Sequence, residues 1–180
     1  MTGIAHTYGQ ALYDLAKEEG LTARILEQIT VLNDSFAAEP AFLQLLCTPA
    51  LSKRERCQVL EDSLGEQVHP YVLNFLKILT EKSHLQHFYG CCQRFRQQYH
   101  RDNGILPVTA VTGLPLSPHL RQKLAAKLSA VTGKTILLEC RVDPACLGGI
   151  RLELADMQVD GTLRHRLDEI GTMLKNTALG

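Results

Sequence analysis

The sequence has no excess of charge of either sign, since its 19 Lys and Arg residues balance its 19 Asp and Glu residues. That balance argues against a surface built mainly to hold nucleic acid or anionic lipid. No apolar run approaches the roughly 18 residues that span a bilayer, so we expect no direct insertion into a membrane. The opening MTGIAHTYGQ lacks the basic and apolar regions of a secretory signal peptide, so we expect no export.

The six cysteines include no C-x-x-C pair. Because no export signal is expected either, the thiols are predicted to be free, as in a reducing compartment. The sequence does have the 45% hydrophobic and 21% charged content that is ordinary for a soluble globular protein. A chain of 180 residues can bury a core without disulfides or structural metals.

The first hundred residues follow the helical period. Apolar residues recur at spacings of three and four in about six segments, which begin near residues 4, 21, 40, 52, 70 and 85. Ser52 and Glu55 predict a capping box at the start of the fourth segment. The short connections predict antiparallel neighbours, and therefore a compact bundle of about six helices.

Two of these predicted helices have distinctive apolar faces. On the first helix, Ile4, Tyr8, Leu12 and Leu15 are expected on one inward face, and Gly20 is expected to end the helix. The fifth helix begins near residue 70 and has apolar residues on more than one side. It is therefore either central in the bundle or offers a second face to a partner.

After Gly104 the period changes to two. ILPVTAVTG, TILLECRV and GIRLELA alternate and are predicted strands, with a helix opened by Ser117 between the first two. MQV predicts a short return strand, and a final helix is expected to place Leu163, Leu167, Ile170 and Leu174 inward. The predicted fold is an N-terminal six-helix bundle over residues 1–104 followed by a small C-terminal α/β domain over residues 105–180.

Gly133-Lys134-Thr135 matches the end of a phosphate-binding loop. The full motif needs a glycine five residues before Gly133, where this chain has Leu128. A phosphate loop also runs from strand to helix, so that a helix N-terminus faces the phosphate. Here the predicted helix comes first and the strand follows. We therefore predict a helix end at Gly133, no nucleotide site and no cofactor.

His84, His87, Cys91 and Cys92 follow one another at i, i+3, i+7 and i+8 on the predicted sixth helix. Zn²⁺ accepts both ligand types, but a single straight helix seldom closes a tetrahedron. The competing interpretation is a helix with surface histidines and half-buried cysteines. No metal is expected.

A basic cluster on the same helix interleaves Phe95 and Tyr99 with Arg94, Arg96, His100 and Arg101. Basic and aromatic residues together are typical of nucleic-acid surfaces, whereas aromatics four apart are equally typical of a core. A soluble metal- or nucleic-acid-binding adaptor that uses His84, His87 and Cys91 or Arg94 and Arg96 is thus the alternative function. The balanced charge argues against nucleic acid.

Asp156 and Asp160 could form a carboxylate pair, but acid–base catalysis would also need a pocket and perturbed pKa values. Asp160-Gly161 more readily makes a turn that caps the last helix, with Thr162 as the other candidate cap. No Ser-His-Asp or Cys-His set has a recognisable context. We predict that the chain has no catalytic residues.

The segment LGGIRLELADMQVDGTLRHRLDEIGTML resembles the C-terminal signature of the ATP synthase delta subunit family, which includes the mitochondrial oligomycin-sensitivity-conferring protein. YGQALYDLA and FLQLLCTPALSKRER are similar to two N-terminal stretches of that family. Departures are His6 for an Arg, Gly9 for an Ala, Ala155 for a Gly and Thr162 for a Ser. The signature positions are Gly148, Gly149, Asp156, Asp160, Gly161 and Thr162.

The resemblance implies a non-catalytic stator subunit of an F-type ATP synthase. In that family the helical domain binds the N-terminal helices of the alpha subunits, with the beta subunit nearby, and the smaller domain holds the b subunits of the peripheral stalk. The joint keeps the head from turning with the rotor, so that proton flow drives ATP synthesis. The implied location is the cytoplasmic face of the bacterial plasma membrane, with the chloroplast thylakoid as the alternative.

The resemblance also implies a groove between the first and fifth helices that takes an alpha-subunit helix. An amphipathic partner helix needs such an apolar groove. The competing interpretation is that these residues fill the bundle core, because core and groove use the same helical spacing. The matching positions are Tyr8, Ala11, Leu12, Leu15, Phe75, Ile78 and Leu79.

Overall fold

A computed structural model describes residues 3–48, 50–146 and 150–154. The described chain is mostly helical with a small three-stranded sheet, which confirms the combination of a helical part and an α/β part. The helices are α1 (Gly3–Glu18), α2 (Thr22–Ala38), α3 (Pro40–Cys47), α4 (Lys53–Leu64), α5 (Pro70–Glu81), α6 (Phe88–Asp102) and α7 (Pro118–Thr132). The strands are β1 (Ile105–Thr112), β2 (Thr135–Val142) and β3 (Ile150–Leu154).

Local capping chemistry sets several helix ends where the sequence places them. The Ser52 side chain accepts from the Glu55 N–H at 3.2 Å, and the Ser52 N–H donates to Glu55 Oε2 at 2.7 Å. This reciprocal pair is the predicted capping box at the start of α4. Gly20, just past α1, has φ +68°, a left-handed conformation that glycine adopts without steric cost.

The predicted sixth helix starts three residues later than expected. Leu85–His87 forms a short 3₁₀ turn, and α6 begins only at Phe88. The reason lies at the end of α5, where the His84 N–H bonds to Leu79 O at 2.7 Å and the Ser83 N–H to Thr80 O at 3.0 Å. This pair is a Schellman motif, and it reverses the chain so closely that only the tighter turn fits before α6.

The helical part has one continuous core. Ile25, Ile29, Leu32 and Phe36 of α2 are all buried, as their spacing predicts. Aromatic rings meet edge to face in this core, with ring centroids 5.2 Å apart for Tyr13 and Phe95 and also for Phe36 and Phe88. Such pairs add to the stabilisation that burial alone provides.

The predicted inward face of α1 is wrong in part. Ile4 and Tyr8 are only half-buried and Leu15 is 38% exposed, whereas the helix buries Ala5, Gly9, Leu12, Tyr13 and Ala16. Small side chains let α1 approach α6 closely. A Cβ placed on Gly9 would lie 2.5 Å from the Cys91 carbonyl oxygen, and one placed on Gly90 would lie 2.8 Å from Ala5 Cβ.

The second part is built on the sheet, whose described strands lie in the order β2-β1-β3. Strand β1 pairs in parallel with β2 and antiparallel with β3. Helix α7, capped by the Ser117 side chain, connects β1 to β2. Its Leu124 and Leu128 share a core with Leu106 and Val108 of β1.

The chain divides into two compact units, Met1–Tyr99 and His100–Gly180, so the division falls inside α6, a few residues before the predicted boundary near residue 104. What each part binds stays a prediction.

The predicted MQV strand and final helix lie outside the described residues. So do all six signature positions in the C-terminal part, Gly148, Gly149, Asp156, Asp160, Gly161 and Thr162.

Candidate functional site

Helices α1 and α5, which carry the predicted groove residues, contribute side chains to one core. The ring of Tyr8 on α1 lies edge to face against His84, which directly follows α5, with ring centroids 5.9 Å apart. Deeper in, Leu12 of α1 belongs to the same core as Phe75 and Leu79 of α5. Side chains of the two helices therefore contribute both to the core and to the surface above it.

The seven predicted groove residues divide into two sets. Leu12, Phe75 and Leu79 are buried, with at most 6% of their surface exposed, and they fill the core. Tyr8 is half-buried and Ala11 is exposed, while Leu15 and Ile78 expose 38% and 45%. We call the second set, Tyr8, Ala11, Leu15 and Ile78, the α1/α5 surface.

Polar groups close to this surface in sequence are held by bonds within the protein. Gln10 Oε1 accepts from Arg94 Nε and Nη2 at 3.1 and 2.6 Å, and Gln10 Nε2 donates to Asp14 at 2.8 Å. Lys77 is paired with Glu61 of α4. The α1/α5 surface itself carries no formal charge, so it offers apolar area to a ligand.

The proposed metal set is not assembled. The His84 and His87 ring centroids are 6.0 Å apart, but Cys91 and Cys92 are buried in the core. Burial raises the pKa of the Cys91 thiol to about 11 and that of Cys92 further above its ordinary value. Zinc binds the thiolate, which burial disfavours. Within the described ranges no group of three or more His, Cys, Asp or Glu side chains is placed to hold a metal ion.

The basic-aromatic helix is a packing element. Phe95 is fully buried, so its ring cannot stack on a base, and the partly buried Tyr99 packs against the same core. Arg94 is bound to Gln10, and Arg96 Nη2 donates to Thr30 Oγ1 at 3.3 Å. The core interpretation of these aromatics is confirmed.

Gly133 ends α7 as predicted. It has φ +65°, and its N–H bonds to Ser129 O at 2.8 Å, directly before β2. The end of a helix that lies beside Lys134 and Thr135 is therefore a C-terminus, which carries the wrong partial charge for phosphate.

Sequence reasoning missed Arg56. It stands four residues before buried Leu60 on the inward stripe of α4 and is only 8% exposed. The signal was present, since positions 56, 60 and 64 share one helical face, but a charged residue on that face was passed over.

No described helix is both long and apolar enough to cross a membrane. The fold is that of a mostly helical protein in two units, and its candidate site is an exposed apolar surface. The profile of the family described as ATP synthase delta (OSCP) subunit matches residues 4–174. The chain belongs to that family, whose members are structural rather than catalytic subunits.

Individual relatives agree with this membership. The chain is 31% identical over 173 residues to ATP synthase subunit delta of Laribacter hongkongensis, with 96% of this chain and 97% of the relative covered. It is 30% identical over 176 residues to ATP synthase subunit delta 1 of Syntrophotalea carbinolica, with 97% and 98% covered. The resemblance found in the sequence is confirmed, and so is the prediction of a non-catalytic ATP synthase subunit.

A solved structure shares the fold. One chain of the cryo-EM composite model of the Toxoplasma gondii mitochondrial ATP synthase hexamer superposes with a TM-score of 0.66 at 20% identity. The match covers 96% of this chain and 98% of that chain. The fold is therefore shared over almost the whole length of both chains.

Proposed function

We propose that this chain is the stator subunit that links the catalytic head of an F-type ATP synthase to its peripheral stalk. Family membership supports the assembly, and the mostly bacterial relatives favour the cytoplasmic face of a bacterial plasma membrane. A stator subunit needs binding surfaces and no active site. It resists the torque of the rotor, so that proton flow is converted into ATP synthesis by other subunits.

The six α-helices of the N-terminal part act as a bundle that takes an N-terminal helix of the alpha subunit on the α1/α5 surface. The observation that carries this proposal is Ile78. Helix α5 buries Val72, Leu73, Phe75, Leu76 and Leu79 but leaves Ile78 45% exposed. Ala11 is also exposed, and its small side chain lets a partner backbone approach closely.

The α/β part holds the b subunits of the stalk. The beta subunit of the catalytic head lies nearby. Apolar side chains that the described residues leave exposed support a binding role, since Leu137 and Val142 of β2 are 47% and 46% exposed and Leu120 of α7 is 51% exposed. In the described sheet β2 is an edge strand, where a further chain can pack or pair.

The α1/α5 assignment is tested with a fluorescently labelled peptide from the alpha-subunit N-terminus and anisotropy. Ile78→Asp places a charge in the proposed interface, and Ala11→Trp fills the space that a partner backbone needs. Each is expected to weaken binding by roughly tenfold or more, as interface hot spots do. Because both residues are exposed, circular dichroism should show an unchanged fold.

Val31→Asp is the matched control, because Val31 is a 60% exposed apolar residue on α2, outside the α1/α5 surface. It should leave peptide affinity unchanged. Equal affinity of wild type, Ile78→Asp and Ala11→Trp would remove the α1/α5 assignment. Affinity purification of the tagged chain from membranes tests the wider function, since alpha, beta and b subunits should co-purify with it.

A further inference from the structure

A cavity of the helical part has a lining that includes no residue of the α1/α5 surface. It has a volume of about 230 Å³ and opens where the C-terminal ends of α3 and α5 meet α4. Its polar lining consists of Cys47, Arg56, Thr80, Ser83 and Gln86. Since a liquid water takes about 30 Å³, the cavity can hold several waters or one small ligand.

The side chain of Arg56 is buried in the lining of this cavity. Arg56 is 8% exposed, and its Nε has no hydrogen-bond partner among the described residues. Its one hydrogen bond within the described chain runs from Nη1 to Leu46 O at 3.1 Å. No carboxylate among the described residues lies within ion-pair distance of it. A buried charge with neither an ion pair nor a full set of hydrogen bonds lowers the stability of the folded protein.

The C-terminal ends of α3 and α5 bring partial negative charge to this cavity, which offsets part of the Arg56 charge and opposes an anion. An anion site here therefore depends on direct hydrogen bonds from the Arg56 donors that are still unpaired. An arginine has five N–H donors in a planar fork, and Leu46 O occupies one of them. The unpaired Nε lies on the edge of the fork that binds oxyanions in two parallel hydrogen bonds.

We propose that this cavity is an oxyanion site for a phosphate or carboxylate group, with Arg56 as its main ligand. Ser83 and Gln86 supply the neighbouring neutral donors. The Thr80 hydroxyl already donates to Leu76 O at 2.9 Å, so it lines the site without donating to the anion. The charge-assisted bonds from Arg56 would satisfy Nε and neutralise the buried cation together.

The conformation of Ser83 provides a variant that weakens the site without weakening the fold. Ser83 has φ +59°, in the left-handed region where glycine is favoured. Ser83→Gly therefore removes a hydroxyl donor and relieves backbone strain at the same position. The variant should be at least as stable as wild type and yet bind the anion less well.

The test uses the full-length chain and inorganic phosphate or acetate, each titrated against chloride at constant ionic strength. The Arg56 Nε–H signal in ¹H–¹⁵N NMR reports the site directly, and it should shift and saturate. In Arg56→Met, which lacks that signal, the backbone amide of Ser83 is followed instead and should show no saturable shift. Ser83→Gly should weaken binding by roughly threefold to tenfold, the loss of one neutral hydrogen bond. The control Arg54→Met removes the same charge from an exposed position of α4 and should bind like wild type.

The two anions distinguish the sources of the ligand. Saturation by phosphate alone identifies free inorganic phosphate, and saturation by acetate alone identifies a carboxylate from another chain. Either result, or both, supports the site. An Arg56 Nε–H signal that neither anion moves would overturn the proposal, as would equal binding by Ser83→Gly and wild type.

Discussion

At the scale of single residues, Gly9 decides how closely α1 approaches α6. A Cβ at this position would lie 2.5 Å from the Cys91 backbone oxygen and 2.8 Å from Arg94 Cβ, so a helix would have to shift. Gly9→Ala is expected to lower the free energy of unfolding by about 1–2 kcal/mol, because overpacking outweighs the gain in helix propensity. Urea denaturation followed by circular dichroism measures the change.

Gly3→Ala is the matched control for that substitution. Gly3 lies on the same helix with nothing within 4 Å of the position of its Cβ. Alanine there should leave stability equal or raise it by up to about 1 kcal/mol. If Gly9→Ala were as stable as Gly3→Ala, the close approach of α1 and α6 would not constrain this position.

The candidate site shows what helical spacing can and cannot resolve. The resemblance implied seven groove positions, but helical spacing could not tell buried Leu79 from exposed Ile78, its neighbour in sequence. That distinction depends on which way each helix is rotated by its neighbours. Packing against α6 through Ala5 and Gly9 rotates α1 so that Leu15 becomes exposed.

At the scale of elements, the capping box of α4 can be tested separately from tertiary packing. Ser52→Ala removes the side-chain acceptor for the Glu55 N–H and should lower the free energy of unfolding by about 1 kcal/mol. Ser63→Ala is the control, since Ser63 is exposed in the same helix and caps nothing. A loss of stability equal in both variants would contradict the capping role.

The same box makes part of the stability depend on pH. Hydrogen bonds from the Ser52 side chain and backbone lower the pKa of Glu55 below its ordinary value. A carboxyl with a depressed folded pKa contributes stability above its unfolded pKa, about 4.3, and loses it as pH falls through the folded pKa. The stability difference between wild type and Glu55→Gln should therefore be present at pH 7 and shrink below pH 4. A difference that grew with acidification would contradict this sign.

Elements whose ends are set by neighbouring residues were predictable from the sequence. Ser52, Ser117, Gly20 and Gly133 end or begin helices through bonds within a few residues. The 3₁₀ turn before α6 was not predictable from the sequence, because Ser83 adopts the left-handed conformation although it is not a glycine. Sequence rules expect glycine at that position, so the left-handed turn after α5 carried no signal in the sequence.

At the scale of the whole molecule, the change of period near residue 104 located the change of architecture. The chain is divided into its compact units after Tyr99, inside α6, so the last residues of this helix are assigned to the second unit. Periodicity marks where helix gives way to strand, whereas a compact unit is defined by contacts. Burial of Arg56 in the cavity likewise depends on α3, α4 and α5 together, which no local pattern contains.

The two-unit organisation predicts that the two proposed binding roles can be separated. A fragment of residues 1–104 keeps all of α6 and every residue of the helical core, so it should unfold cooperatively. It should also bind the alpha-subunit peptide with an affinity within about twofold of that of the full chain, a difference well under 1 kcal/mol. It should fail to co-purify with the b subunit. Only the full chain engages head and stalk together, and two linked sites of modest affinity give a durable joint through their high effective concentration. A folded fragment that still captured the b subunit, or that lost the peptide, would assign these interfaces to the wrong units.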